Sequence, residues 1–204
     1  MAERADALIV GGGIIGLAAA RALARAGKSA LVLERGVPGQ EASGASAGML
    51  ACQVEGHAGA ALLSFGVLAR ERHLALAAEC AADGHPYPLA VSGIVAVALS
   101  DDRLAELDGE ARAQQALGLE ARMLSRIELI RLQPGIAREC KGALLLPKDG
   151  CVDNVALCAA LQASAEMHGA RIVRDEAIEL LHEGRRAVGG RGLSRRPRDH
   201  GAQG

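Results

Sequence analysis

Aromatic side chains are nearly missing from this 204-residue chain: Phe65 and Tyr87 stand alone, and there is no Trp. Such scarcity either reflects the base composition of an Ala-rich, Arg-over-Lys gene or marks a domain whose core is incomplete. An excess of one charge is missing too. Lys and Arg number 23 against 24 Asp and Glu, a formal net charge of −1, which argues against a protein built to grip nucleic acid phosphates. No uninterrupted apolar run reaches the ~18 residues of a membrane span. The opening MAERAD leads into a strand rather than a signal peptide, so the expected location is cytoplasmic. Five cysteines, Cys52, Cys80, Cys140, Cys151 and Cys158, are an odd number without a CxxC pair. They give neither a disulfide framework nor a zinc pattern. His57, His73, His85, His168, His182 and His200 are scattered without metal-ligand spacing, and no metal site is expected.

What the chain does have is apolar bulk: 50% of its residues are hydrophobic, enough to bury a core as one large domain or two small ones. Residues 5–10, ADALIV, read as a short buried strand ending in a glycine turn. Ile14 to Ala26 follows a helical pattern that Gly27 is placed to end. Ser29 to Leu33 is a second apolar strand and closes a β-α-β unit. Residues 35–48 read as a loop of small side chains, with a helix start around Ala47, and Ala60 to Ala82 as a long helix.

The character changes at Asp83. The stretch GHPYP is turn-rich punctuation, VSGIVAVALS a half-buried strand, and residues 101–117 a charged helix with a solvated face. Ser125 and Glu128 form a capping-box pattern, GALLLP is another strand, and Asp149-Gly150 reads as a turn. Asp153 caps a helix to about His168, and the segments RIV and AIELL are expected strands. After Arg186 the pattern collapses. Residues 189–204 carry four Arg and one Asp with five Gly, and are expected to lack order. Such a tail suits an acidic partner, or is what a GC-rich gene gives when read out of frame.

One motif carries chemistry. Gly11-Gly12-Gly13-Ile14-Ile15-Gly16 satisfies G-x-G-x-x-G. Gly11 lets the strand turn, Gly13 lets the main chain approach a pyrophosphate, and Gly16 lets the helix pack on the sheet. The amides at the helix start then face negative charge. The hexapeptide alone is weak, but here it follows a strand, opens a helix and precedes a second strand ending at Glu34. A carboxylate there accepts hydrogen bonds from ribose hydroxyls and repels the 2′-phosphate that Arg35 would otherwise suit. The fingerprint does not separate NAD from FAD. In the segment GQEASGASAGML, residues 39–50, small side chains either admit a bulky flat ligand, with Ser43 and Ser46 offering hydroxyls, or form a flexible linker.

GGGIIGLAAARALARAGKSALVLERG, followed by EASGASAGMLA, resembles the N-terminal region of the D-amino acid oxidase superfamily. Within it the resemblance is nearest to the glycine oxidase branch, the FAD enzymes of bacterial thiamine biosynthesis. It continues through GALLLPKDGCVDNVALCAAL to about Leu181, and SAGML is its more discriminating motif. The resemblance implies an α/β fold of the Rossmann FAD-binding type with an inserted α+β substrate-domain segment, incomplete at the C-terminus. The expected division is a discontinuous FAD-binding domain over 1–84 and 150–187, a substrate-domain segment over 85–149, and a disordered or out-of-frame tail over 188–204.

Carried over by position, the resemblance puts FAD phosphates against Ile14 and Ile15, beside Gly11, Gly13 and Gly16. It puts the adenosine ribose on Glu34 with Arg35, the ribityl-pyrophosphate region on Ala42 and Ser43, and the isoalloxazine along Ala47, Gly48 and Met49. Ile178 falls where main-chain atoms hold the adenine. The activity implied is oxidation of a small amino acid, glycine or a similar amine, with hydride passing to flavin and O₂ giving H₂O₂. The Arg that anchors the substrate carboxylate in that family lies beyond the segments matched here, so no catalytic residue is assigned. In place of the family's Ala-Ala-Gly strand near residue 184 stands GGRGLSRRPRDHGAQG. The expectation is therefore the first part of a larger enzyme, inactive alone and able to form a homo-oligomer in its full-length form. Two other readings stay open: a non-catalytic dinucleotide-binding module with a basic tail, and a D-amino acid dehydrogenase-like enzyme passing electrons to a quinone. Cys52 is expected to be a buried structural thiol rather than a reactive one.

Overall fold

A computed structural model describes residues 5–55, 60–136, 139–183 and 186–192. In chain order it opens with β1 (Ala7–Val10), α1 (Ile14–Arg25), β2 (Ala30–Glu34), α2 (Ala42–Ala45) and β3 (Met49–Leu50). Next come α3 (Ala60–Ala82), β4 (Leu89–Ala90), β5 (Ile94–Ala98), α4 (Asp101–Ala116), β6 (Arg122–Ser125) and α5 (Arg126–Leu132). The remainder is β7 (Gly142–Leu146), β8 (Gly150–Val152), α6 (Asn154–Met167), β9 (Arg171–Arg174), β10 (Ala177–Glu183) and β11 (Arg186–Gly192). No helix among the described residues is long and apolar enough to cross a membrane.

Two compact units emerge. The first comprises Met1–Ala47, Ala78–Pro88 and Asp153–Gly204, and the second Gly48–Ala77 and Leu89–Val152. This differs from the expected division at residues 48–77 and 150–152, which group with the second unit, and at residues 85–88, which group with the first. The cause is local pairing: Met49 and Leu50 join β8 in an antiparallel ladder with Cys151 and Gly150. The helix start expected around Ala47 is thus the approach to a strand.

In the first unit, β1, β2 and β9 form a parallel sheet with β2 in the middle. Its core is Ala20, Ala24, Ala30, Val32, Ala165 and Ala170, with Ile9, Leu23 and Ile172 packed against it. Alanines on α1 and α6 let backbone approach backbone, so little side-chain volume is needed to fill the space. Arg21, only 4% exposed, lies within this packing. Its Nε donates to Ser164 Oγ at 2.6 Å, and its two terminal nitrogens donate to Glu79 at 2.8 Å and Asp83 at 2.9 Å. Burial works against its charge, but the hydrogen bonds to Glu79 and Asp83 outweigh burial and hold its pKa above the ordinary value.

β10 and β11 pair antiparallel, with register shifts between Ala177 and Glu179 and between Leu181 and His182. Residues 188–192 were expected to lack order; instead they sit in β11, because glycine-rich chain can still satisfy its backbone against β10. Residues 193–204 of the expected tail lie outside the described residues.

The second unit holds two three-stranded antiparallel sheets, in the orders β3-β8-β4 and β5-β7-β6. The four-residue β6 and the short β3, β4 and β8 give too little alternation to be read from sequence. Capping is where the sequence anticipated: Ser125 Oγ and Glu128 make the reciprocal box that starts α5, and Asp153 caps α6 through the Ala156 N–H at 2.8 Å. Asp149 departs from expectation. The turn beside it is present, but Asp149 is fully buried. Its carboxylate accepts from the N–H groups of Gln53 and Val54, both at 3.1 Å, and from Arg70 at 2.6 Å. The Cys52 thiol lies 3.7 Å away, half-buried, and burial pushes its pKa up.

Two stability outcomes follow. Arg70→Ala strands the buried Asp149 carboxylate, and chemical denaturation is expected to show a loss of about 3–5 kcal/mol. The second concerns Asp83, held well below the usual carboxylate range by the Ser164 hydroxyl, then Arg21, then His168 at 3.3 Å. A depressed folded pKa gives stability that is present above the unfolded value near pH 4 and lost as pH falls below it. Asp83→Asn should therefore be less stable than the parent at pH 7, with the gap in Tm closing below about pH 4. A gap that stays constant down to pH 2 refutes the assignment.

Candidate functional site

The glycine turn leaves β1 at Gly11, whose φ of +97° is open to glycine and strained for other residues. Gly11 N–H donates to Leu33 O at 2.8 Å, which ties the turn to β2. At Gly16 the reason for glycine is contact. A Cβ there would stand 2.0 Å from Gly11 O, so α1 can lie this close to the strand end only without a side chain.

The start of α1 draws no cap or counter-charge from its own segment. Gly13 at the N-cap supplies no side-chain cap, and the first turn has no acidic residue. The Ile14 N–H donates to Ser43 Oγ at 3.0 Å, and Ile15 is 83% exposed. Helix N-termini are normally quieted by a cap or a carboxylate. This one offers its positive end outward past glycines, the cradle a pyrophosphate requires.

Glu34 closes the other side. It is buried, and its Oε2 accepts from Gly12 N–H at 2.6 Å while Oε1 accepts from Gly36 N–H at 2.7 Å. Beside it opens a cavity of about 220 Å³ at the carboxyl ends of the parallel strands, lined by Val10, Gly11, Leu33, Glu34, Arg35 and Glu41. Asp175, Glu176 and Ala177, following β9, complete the wall. Asp175 N–H donates to Glu34 O at 3.0 Å, which fixes that segment against β2. Ligands of open parallel sheets bind at this end of the strands.

Four acidic residues and one arginine thus line the cavity. Arg35 is itself engaged by Glu41, at 2.8 and 3.1 Å, and the hydrogen bond from Arg35 to Glu41 keeps its pKa above the ordinary value. Such a lining accepts hydroxyl and amino donors and disfavours an added phosphate.

Of the residues anticipated from sequence, Gly11, Gly13, Ile14, Gly16, Glu34, Arg35 and Ser43 come together in the first unit. Ala42 opens α2 beside Ser43, in a stretch expected to be plain loop; the turn forms because Gly44 has no Cβ, which would lie 2.7 Å from Gly39 O. Ala47 is exposed at the end of that stretch. Gly48 and Met49 belong to the second unit, where Met49 is 51% exposed on β3. Ile178 stands one residue past the lining Ala177 and is 41% exposed. Glu41, Asp175 and Glu176 were missed. The signal for the latter two was their place just after a parallel strand, which the short RIV segment gave too weakly to use. No group of three or more His, Cys, Asp or Glu among the described residues is arranged to hold a metal ion.

A parallel sheet, a glycine turn into a helix start and a carboxylate at the end of the second strand define a dinucleotide-binding α/β fold. The family described as FAD dependent oxidoreductase (DAO) matches residues 6–200. Glycine oxidase of Geobacillus kaustophilus (strain HTA426) is 32% identical over 172 residues, covering 83% of this chain and 46% of that protein. The crystal structure of glycine oxidase from Geobacillus kaustophilus superposes with a TM-score of 0.84 at 30% identity, over 88% of this chain and 49% of that one. That of glycine oxidase from Bacillus cereus ATCC 14579 gives 0.86 at 27% identity, over 94% and 52%. The chain spans about half the length of the curated relatives it matches. It belongs to the DAO family of FAD dependent oxidoreductases, with glycine-oxidase-like relatives, and its cofactor is FAD.

The glycine geometry sets a test. Gly16→Ala forces a Cβ into the Gly11 carbonyl, and thermal or chemical denaturation should register a loss of roughly 2–3 kcal/mol or more. Wild-type stability in that variant contradicts the close approach described.

Proposed function

We propose that the chain is the FAD-holding part of a flavoenzyme that oxidises a small primary or secondary amine, glycine or a close analogue, with O₂ as acceptor. The supporting observation is the pairing of an α1 start with glycine at its N-cap and no acid in its first turn with the buried Glu34 carboxylate in a chain of this family. The amine loses a hydride from its α-carbon and a proton from its nitrogen as an imine forms. Water then splits the imine to a carbonyl compound and ammonia or an amine, while O₂ takes up the electrons and two protons to give H₂O₂.

FAD, when bound, supplies the two-electron acceptor. The residues of this chain bind and orient it. Gly11, Gly13, Ile14, Ile15 and Gly16 present main chain to the pyrophosphate, where the helix end stabilises negative charge. Glu34 accepts from the adenosine ribose hydroxyls beside Arg35, and the Ile178 main chain meets the adenine. Ala42 and Ser43 serve the ribityl-pyrophosphate region, and Ala47, Gly48 and Met49 lie along the flavin ring. No residue of this chain is assigned to the substrate carboxylate, which a zwitterionic amine requires an Arg to orient.

The test has two arms. Titration of the apo chain with FAD, followed by flavin fluorescence, should show binding that Glu34→Ala weakens by about 10- to 100-fold, the scale of a lost hydrogen bond to a charged group. Oxygen uptake and peroxide release with glycine, sarcosine and D-alanine test the reaction in the enzyme. Dye reduction without oxygen uptake would replace the oxidase reading by a dehydrogenase.

A further inference from the structure

The loop that meets the α1 start is held from a direction the glycine fingerprint does not include. Asn154, the first residue of α6, is half-buried beneath it. Its Nδ2 donates to Ser43 O at 2.6 Å and to Gly44 O at 3.1 Å. Both partners are carbonyls, so the amide nitrogen must face them, and its two N–H groups are matched one to each. Ser43, fixed at its carbonyl by Asn154, uses its hydroxyl oxygen to accept the Ile14 N–H at 3.0 Å.

The same face of α6 sets the depth of the loop. Gly39 is packed so that a Cβ would lie 2.6 Å from Cys158 Cβ, one turn along from Asn154. Gly39 N–H donates to Gly12 O at 2.9 Å. The loop is therefore pinned to the glycine turn by Gly39 and Ser43 and to α6 by Asn154, over a very short path.

We infer that Asn154 is a positioning residue for the pyrophosphate cradle: its amide clamps the Ser43–Gly44 turn so that Ser43 holds the first helical N–H of α1 in place. This rests on the FAD reading above. The clamp acts on the preorganisation of the cradle, whose cost would otherwise fall on ligand binding. Asp at this position is no substitute, since an ionised carboxylate only accepts and would face two carbonyl oxygens.

The experiment measures the affinities of FAD, ADP and adenosine for the chain, by flavin fluorescence and calorimetry. Asn154→Ala should weaken FAD and ADP by about 5- to 20-fold, Asn154→Asp by more, and neither should move adenosine beyond about twofold. Val155→Ala, at a solvent-exposed neighbour on α6, should leave all three unchanged. Adding Asn154→Ala to Ser43→Ala should cost little beyond Ser43→Ala alone, as expected of residues acting in series. Equal losses for ADP and adenosine would reveal general loosening of the fold and overturn the inference, as would an unchanged ADP affinity. A parent chain that binds neither FAD nor ADP would instead overturn the FAD reading.

One readout needs no ligand. Amide hydrogen exchange at Ile14 should accelerate about tenfold in Asn154→Ala, or in Asn154→Ser if the alanine variant does not fold. Unchanged protection at Ile14 refutes the clamp.

Discussion

The hydrogen bonds made by Glu34 are what the first unit depends on. One carboxylate oxygen holds the Gly12 N–H and the other the Gly36 N–H, while the main-chain carbonyl of the same residue accepts from Asp175. A single residue thus joins the glycine turn, the chain leaving β2 and the segment leaving β9. Its position is dictated twice over: by the strand that buries it and by the orphan amides of the turn, which have no secondary structure to satisfy them. The cavity wall is a consequence, because each segment that Glu34 ties down contributes residues to it.

Small residues explain the scarcity of aromatics. The buried members of the three clusters described are Ala, Val and Leu, with Cys140 the one exception. Phe65 is 67% exposed, and only Tyr87 of the two aromatics is buried. Close helix contact through alanine substitutes for ring volume, so low aromatic content here describes a style of packing.

The glycine fingerprint, both strands of the β-α-β unit, the Ser125 box and the Asp153 cap were legible in the sequence because each is a local rule with one solution. Glu34 was legible because the spacing from turn to second strand is short. Asp149 was not: Asp-Gly reads as a turn, and nothing nearby in sequence reveals that Arg70 and the amides of Gln53 and Val54 await its carboxylate. Asp175 and Glu176 fail for a related reason, since their role comes from pairing between strands far apart in the chain. Residues 188–192 show the reverse error. Their composition cannot bury a face, yet backbone pairing with β10 asks nothing of side chains.

The middle strand of the parallel sheet has a temporal consequence. Leu31 pairs with Arg171, so β2 gains its second neighbour only after all of the intervening chain has been synthesised. Until then one edge of β2 is unpaired while β1 and α1 are already available on the other side. Long-range parallel pairing of this kind is slow because loop closure must precede any contact that rewards it. The wall formed by residues 175–177 is therefore the last side of the cavity to arrive at the ribosome. A ligand that touches that wall can report on completion of the sheet, because it meets its full site only when β9 is in register.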